Sequence, residues 1–258
     1  MTNLNLLSSN IPRIPLPDGQ FMPVLHPVLI NHFPSFTPAA QRRTIRTIEG
    51  LLDDIRLNSS MKYLFELGVV DEEDVKIGNE CQEHKKKYLH DIIDACCWQL
   101  SLFMKYSVPN RIGEAVPHLT YIIESRRSLV PHVKDPIAIL HLGVALAHVG
   151  EDERAIEMLK AGLSDLHYMP VPDPKNMLWS RVHFAWLLRK AGKISEAKSQ
   201  ERLVCEWIFM NQFFTSRQQI IKTITDDAIP EIGEHVVKNP ALEGYFNATN
   251  VDVPFGSF

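Results

Sequence analysis

Apolar residues recur at intervals of three and four along most of the chain, the spacing that places them on one face of an α-helix. The first such face follows Thr37-Pro38, a capping residue with proline at the first helical position. It consists of Ile45, Ile48, Leu51, Leu52 and Ile55. The spacing also predicts a short helix over 61–67, which Gly68 can end, and a long amphipathic stretch over 71–106 with a break near Gly78-Asn79. Since no alternating strand pattern of useful length occurs, the fold class predicted is all-α.

The first 37 residues differ from the rest because they are rich in proline. Seven of the 17 prolines lie within the first 38 residues, and proline fixes φ and lacks an N–H, so no long helix forms there. Apolar side chains alternate with these prolines from Ile11 to Phe36, which is more apolar surface than a solvated linker carries. We therefore expect an extended arm that packs along a groove. The groove belongs either to its own chain or to a second copy, in which case the arm would support a homo-oligomer.

An internal repeat lies between residues 96 and 210. Around the pair Leu142-Gly143, large residues fall at helical spacing, and Ala155 follows twelve residues after Gly143. The turn Gly150-Glu151-Asp152 separates the two halves. This pattern resembles the tetratricopeptide repeat (TPR), a hairpin of two antiparallel helices. Small residues at 143 and 155 would allow the two helices to approach closely.

Two further copies flank this one. In the later copy Phe184-Ala185 occupies the position of the Leu-Gly pair, and Ala197 follows at the same distance. In the earlier copy the pair is Leu102-Phe103, followed by Ala115, so a phenylalanine replaces the small residue. The periods are 40 and 42 residues, longer than the 34 of the family. The resemblance implies a short right-handed α-solenoid of three TPR-like hairpins.

Together with the proline-rich arm and the apolar spacing, this resemblance predicts one compact domain in four parts. A proline-rich extended arm occupies 1–37 and is packed on the body, and N-terminal helices occupy 38–95. The TPR-like hairpins occupy 96–210. Extra capping helices and a tail occupy 211–258, where the segment from Thr215 to Gln218 fits a capping box.

TPR proteins bind peptides or protein partners in a concave groove lined by the first helix of each hairpin. Carried onto this sequence, the groove is apolar and aromatic, and its first hairpin supplies Leu100, Ser101 and Met104. The binding residues that we single out are Leu140, His141, Val144, His148, Trp179, Val182, His183, Trp186, Arg189 and Lys190. Family members that clamp acidic chaperone tails use Lys, Asn and Arg there, so the apolar lining argues against that ligand.

The resemblance favours an interaction module that binds a protein or peptide partner in this groove, with Trp179 and Trp186 as anchors. The alternative is a small-molecule-binding protein or enzyme, in which the covered groove is a hydrophobic pocket and His141 and His183 are its polar groups. In a third interpretation the arm and the groove simply complete one core. His141 and His148 are separated by about 10.5 Å along a helix axis, which is too far for one metal ion.

The sequence contains no GxSxG, P-loop or HExxH motif, so we favour binding over catalysis and assign no catalytic residue. We expect neither a metal nor another cofactor. His90 and Asp94, four residues apart, would suit a His–carboxylate pair. The basic run His84–Lys87 follows Glu80 and Glu83 at helical spacing, which predicts a solvated, charge-compensated helix face.

Composition narrows the partners and the compartment. Lys and Arg total 27 and Asp and Glu total 31, a net charge of −4, without the basic surplus that nucleic-acid binding needs. The longest apolar stretch, 137–147, is too short to span a membrane, and the N-terminus lacks the pattern of a secretory signal. The four cysteines have no CxxC spacing and predict neither a disulfide framework nor a zinc finger. We therefore expect a cytoplasmic protein with no nucleic-acid or membrane partner.

Overall fold

The computed structural model describes residues 10–129, 135–166 and 174–210. Over these ranges the chain is predominantly helical, as the apolar spacing predicts. The chain divides into two compact units, Met1–Lys134 and Asp135–Phe258. The division separates the first of the three predicted hairpins from the other two.

The first unit begins with two short strands and continues through helices. In chain order its elements are β1 Arg13–Pro15, β2 Phe21–Pro23, α1 Leu29–His32, a 3-10 turn Phe33–Ser35, α2 Pro38–Asn58, α3 Met61–Glu66, α4 Glu72–Glu80, α5 Gln82–Tyr106, a second 3-10 turn Ile112–Ala115, and α6 Val116–Leu129. The helix α5 contacts α2, α4 and α6, so it lies at the centre of the unit.

The arm contains local structure that the sequence pattern does not predict. Strands β1 and β2 pair antiparallel with Ile14 opposite Met22, and Gly19 takes a positive φ of 83° in the turn between them. Each strand has three residues, too few to show an alternating pattern. The arm is therefore a small hairpin followed by the helix α1, where the prolines predict only an extended segment.

The arm packs on helices of its own unit, one of the two arrangements that its apolar content predicts. Phe33 is fully buried, and its ring stacks on Phe103 of α5 with centroids 4.3 Å apart. The backbone N–H of Asn10 donates to the carbonyl of Leu67 at 2.7 Å. From α2, Gln41 Nε2 donates to the Phe33 carbonyl at 3.2 Å. These contacts make the arm part of the hydrophobic core of the first unit.

The helix boundaries predicted at Thr37 and Gly68 agree with the structure, whereas the break predicted near Gly78-Asn79 lies at Cys81. The Thr37 hydroxyl accepts a hydrogen bond from the N–H of Ala40 and caps α2. After α3 the chain turns at Gly68, where φ is 69°. The long amphipathic stretch is broken at Cys81, which adopts an extended conformation between α4 and α5. Gly78 lies just before this break. Its small size has a packing reason, because a Cβ there would come within 2.7 Å of the Met61 side chain.

The second unit consists of four described helices. They are α7 Pro136–His148, α8 Asp152–Leu166, α9 Pro174–Lys190 and α10 Ile194–Met210. The carboxylate of Asp135 accepts from the N–H of Ala138 and caps α7, which begins with Pro136. Gly150 and Gly192 take positive φ angles of 83° and 75° at the α7–α8 and α9–α10 turns, respectively. Each helix packs on the next, and α7 also packs on α9.

The predicted capping helices over 211–258, with Thr215, lie outside the described residues. Within the described ranges, no helix combines the length and the apolar character that crossing a bilayer requires.

Candidate functional site

The two helices of the α7–α8 hairpin approach each other at a glycine. A Cβ placed on Gly143 would lie 2.7 Å from Leu159 Cγ and 3.1 Å from its backbone nitrogen. One turn away, a Cβ on Gly162 would lie 2.7 Å from Leu140 Cδ2. Ala155 is fully buried between the same helices. The small residues that suggested a repeat therefore occupy the closest contacts of the hairpin.

Helix α9 lies beside α7 and brings together predicted binding residues from two hairpins. His141 Nε2 lies 3.0 Å from Asn176 Oδ1, and the His141 ring is 4.9 Å from the Trp179 ring. Further along, the rings of His148 and His183 are 6.1 Å apart. We call the ten predicted binding residues on these two helices the α7–α9 face.

Exposure varies strongly along the α7–α9 face. Six of its residues are buried, and they are Leu140, His141, Val144, Trp179, Val182 and His183. His148, Trp186 and Arg189 are half-buried, and Lys190 is exposed. Accessible side chains of the face therefore concentrate at the end where α7 and α9 finish. We call His148, Trp186 and Lys190 the accessible end.

The two positive charges of the face are held by acidic side chains. Arg189 forms a two-pronged ion pair with Glu201 of α10, with Nε–Oε1 2.5 Å and Nη2–Oε2 2.7 Å. This hydrogen bonding raises the pKa of Arg189. Because Glu201 is only 5% exposed, Arg189 serves to neutralise a buried charge within the α9–α10 hairpin.

Lys190 links its helix to the neighbouring hairpin and covers an aromatic ring. Its Nζ forms an ion pair with Asp152 at the start of α8 and lies 5.3 Å from the centre of the Trp186 ring. With about half of the Lys190 side chain exposed, the amine and the indole form one surface feature that is both apolar and cationic.

The histidines of the face are packed by its own side chains. The His183 ring meets the edge of Trp179 at 5.2 Å, and His183 Nδ1 lies 2.8 Å from the Trp179 carbonyl oxygen. Across the described ranges, no three His, Cys, Asp or Glu side chains are grouped closely enough to hold a metal ion. Beside them, Ser180 is fully buried and its hydroxyl has no hydrogen-bond partner within the described ranges. The structure gives no reason for this hydroxyl.

The groove residues predicted for the first hairpin lie in the core of the first unit. Leu100 and Ser101 are fully buried there and Met104 is 2% exposed. Phe103, which replaces the small residue of the repeat, is the ring that stacks on Phe33 of the arm. The departure from the repeat pattern at Phe103 thus provides a contact for the arm.

The other sequence candidates have ordinary structural roles. His90 Nδ1 lies 2.9 Å from Ser125 Oγ and 3.1 Å from Tyr121 Oη, while Asp94 pairs with Arg126 at 2.6 Å. Each member of the suggested His–carboxylate pair therefore bonds to α6. Burial raises the pKa of Asp94 even though Arg126 opposes that effect.

The basic run at the start of α5 lies on a solvated face. The ammonium of Lys86 pairs with Glu83 at 3.3 Å, and both side chains are more than 60% exposed. Glu83 compensates this run as the spacing predicts, whereas Glu80 lies on α4, before the break at Cys81. Surface pairs of this kind contribute little to stability.

Sequence reasoning missed a cleft of about 410 Å3 in the first unit. Its lining includes Arg42 and Arg46 of α2 and Val108, which follows α5. The available signal was the cluster of Arg42, Arg43 and Arg46, which is the densest group of arginines in the sequence. Because Thr44 and Ile45 separate Arg46 from Arg42 and Arg43, the cluster is less conspicuous than the run His84–Lys87.

Comparisons of the chain with protein-family models, with curated proteins and with solved structures found no match.

Proposed function

We propose that the second unit is a TPR-like pair of hairpins that binds a protein or peptide partner at the accessible end of the α7–α9 face. The observation that carries this proposal is Trp186, a large aromatic side chain that is only partly buried beside the partly exposed amine of Lys190. Tryptophan is prominent among the residues that dominate binding energy at protein interfaces.

Two features support a TPR-like arrangement. The close contact of Gly143 with Leu159 matches the role of the small residues in a TPR hairpin. The order of packing, in which α7 contacts both its own partner α8 and the first helix α9 of the next hairpin, is that of stacked hairpins.

The packed interior of the face is our reason for preferring surface recognition to an enclosed small-molecule ligand. His141, Trp179 and His183 contact one another through their rings, so these side chains fill the space that a ligand would need. A partner would instead place an apolar side chain against Trp186 and an acidic or carbonyl group near Lys190.

The proposal is tested with peptides selected from a random displayed library on the immobilised full-length protein. Binding of each selected peptide is then measured by fluorescence polarisation for the parent, Trp186→Ala and the control Trp98→Ala. Trp98 is also half-buried but belongs to the first unit. Loss of a dominant aromatic contact costs about 2 kcal/mol, so the Kd should rise about 30-fold for Trp186→Ala and remain unchanged for Trp98→Ala.

Circular dichroism shows whether each variant keeps its helices. Arg189 is not used for this test because its removal would leave Glu201 buried without its charge partner and would destabilise the fold. Lys190→Gln provides an additional variant, for which we expect a smaller loss of affinity. If the selected peptides bind folded Trp186→Ala as tightly as the parent, the proposal fails.

A further inference from the structure

The cleft in the first unit combines cationic and apolar walls. One wall is the second and third turns of α2, where Arg42, Ile45 and Arg46 face the opening. The other is the segment after α5, which contributes Val108 and Arg111. A volume of about 410 Å3 lies within the range of small-molecule sites.

Two of the three arginines of this cleft form no ion pair with the described residues, although Glu49 also lines the cleft. Arg111 is bound by Glu114, with Nε–Oε1 2.7 Å and Nη2–Oε2 2.5 Å. The side chains of Arg42 and Arg46 form no hydrogen bond or ion pair with any residue in the described ranges. Glu49 on the same wall lies beyond ion-pair distance of Arg46 but raises the pKa of Arg111. Since like charges four residues apart on a helix repel each other, the pair at 42 and 46 disfavours the unliganded helix slightly.

The walls of the cleft are fixed by buried hydrogen bonds. The side chain of Gln41 is buried, and its Oε1 accepts from the N–H of Val108 at 2.9 Å. Ser107 Oγ lies 2.8 Å from the carbonyl oxygens of both Met104 and Pro109. These bonds hold the segment after α5 while Val108 remains 62% exposed. An exposed valine on a fixed segment is a preformed apolar surface.

We propose that this cleft binds a small phosphomonoester, with its phosphate between Arg42 and Arg46 and its organic part against Val108. The planar guanidinium group offers several N–H donors in a fork that matches phosphate oxygens. A phosphomonoester carries close to two negative charges at neutral pH, so it can neutralise both arginines where a monocarboxylate can neutralise one. The apolar wall would favour an ester over free phosphate.

The experiment uses the full-length protein and phenyl phosphate as the probe. Thermal unfolding is followed at increasing probe concentration for the parent, for the double variant R42Q/R46Q, and for R43Q. Arg43 carries the same charge on the same helix and is exposed, but it does not line the cleft. A ligand that binds only the folded state stabilises it by RT ln(1 + [L]/Kd), so the unfolding temperature rises with probe concentration to an extent set by Kd.

We expect phenyl phosphate to stabilise the parent and R43Q alike. For R42Q/R46Q the apparent affinity should fall at least about tenfold, because bonds to two charged groups are lost. Phenol should give no shift, and inorganic phosphate should give a smaller shift than the ester. Without ligand, R42Q/R46Q should melt no lower than the parent because both side chains are exposed and repel each other.

Three results would overturn the assignment. The first is that phenyl phosphate does not raise the unfolding temperature of the parent, and the second is that it raises that of R42Q/R46Q as much as that of the parent. The third is that R43Q loses as much affinity as R42Q/R46Q, which would indicate general charge attraction. An equal shift from inorganic phosphate would overturn the role of Val108. If R42Q/R46Q does not fold, the variant Val108→Glu replaces it, because a new carboxylate in the cleft should abolish binding of the phosphate. Binding of phenyl phosphate to Val108→Glu would also overturn the assignment.

Discussion

The contact of Gly143 with Leu159 leads to a prediction in which the same substitution has opposite effects at two glycines. In a helix, alanine is favoured over glycine by about 1 kcal/mol. Gly50 of α2 is exposed, and a Cβ there would meet nothing within 4 Å. Gly50→Ala should therefore raise the free energy of unfolding by about 0.5–1 kcal/mol.

At Gly143 the same methyl group must displace a buried neighbour. The new Cβ would lie 2.7 Å from Leu159 Cγ, and Leu159 is fully buried, so it has little room to move. Inserting a methyl group into a packed core costs about 1–3 kcal/mol. After subtracting the helix preference for alanine, Gly143→Ala should lower the free energy of unfolding by up to about 2 kcal/mol.

The measurement is urea unfolding followed by helical circular dichroism. Gly50 and Gly143 belong to different units, so where two transitions are resolved each variant should shift its own. A double-mutant cycle with Leu159→Ala then isolates the clash, because removing Leu159 Cγ should make the two losses less than additive by about 1–3 kcal/mol. The reasoning is refuted if Gly143→Ala stabilises its unit as Gly50→Ala does.

Three further predictions concern the first unit. Phe33→Ala should lower the free energy of unfolding by about 3–5 kcal/mol in urea, because the ring is buried against Phe103; a cost below about 1 kcal/mol would show that the arm is not core. Burial lowers the pKa of His118 below 6.5, so its contribution to stability is present above that pH and is lost as the pH falls through the lowered pKa. The urea concentration at the midpoint of unfolding should therefore fall less on acidification for His118→Gln than for the parent. The same pH dependence in both proteins would contradict this. Burial also raises the pKa of the Cys97 thiol to about 12. Mass-spectrometric mapping should therefore find alkylation at least about tenfold slower at Cys97 than at half-buried Cys81, and urea should abolish the difference. Equal alkylation rates in the folded protein would contradict the burial of Cys97.

Local signals in the sequence predict much of the secondary structure. The caps Thr37 and Asp135 act on N–H groups three residues away, so their effect is visible in a short stretch of sequence. Gly143 is predictable for a similar reason, since the hairpin brings it against a helix that begins nine residues later. Helix ends and the contacts within a hairpin are determined by residues that are close together in the sequence.

Contacts between residues that are far apart in the sequence could not be predicted from local patterns. Phe33 stacks on Phe103 and Gln41 binds Val108 across about 70 residues, and no local pattern links such pairs. The resemblance to TPR hairpins predicts that Arg189 faces a ligand, but a repeat pattern does not specify the rotamer that reaches Glu201. Burial along the α7–α9 face likewise depends on surroundings that helical spacing cannot show.

The buried amide of Gln41 couples two parts of the first unit thermodynamically. Its Nε2 holds the arm at the Phe33 carbonyl, and its Oε1 holds Val108 at the cleft. Because one side chain satisfies both groups, an opening of the arm that moves Gln41 weakens the hold on Val108. Linkage is reciprocal, so a ligand in the cleft would protect arm amides from hydrogen exchange by the same factor by which arm opening lowers its affinity. Hydrogen exchange in the proline-rich arm would then show whether the cleft is occupied, although the arm does not line the cleft.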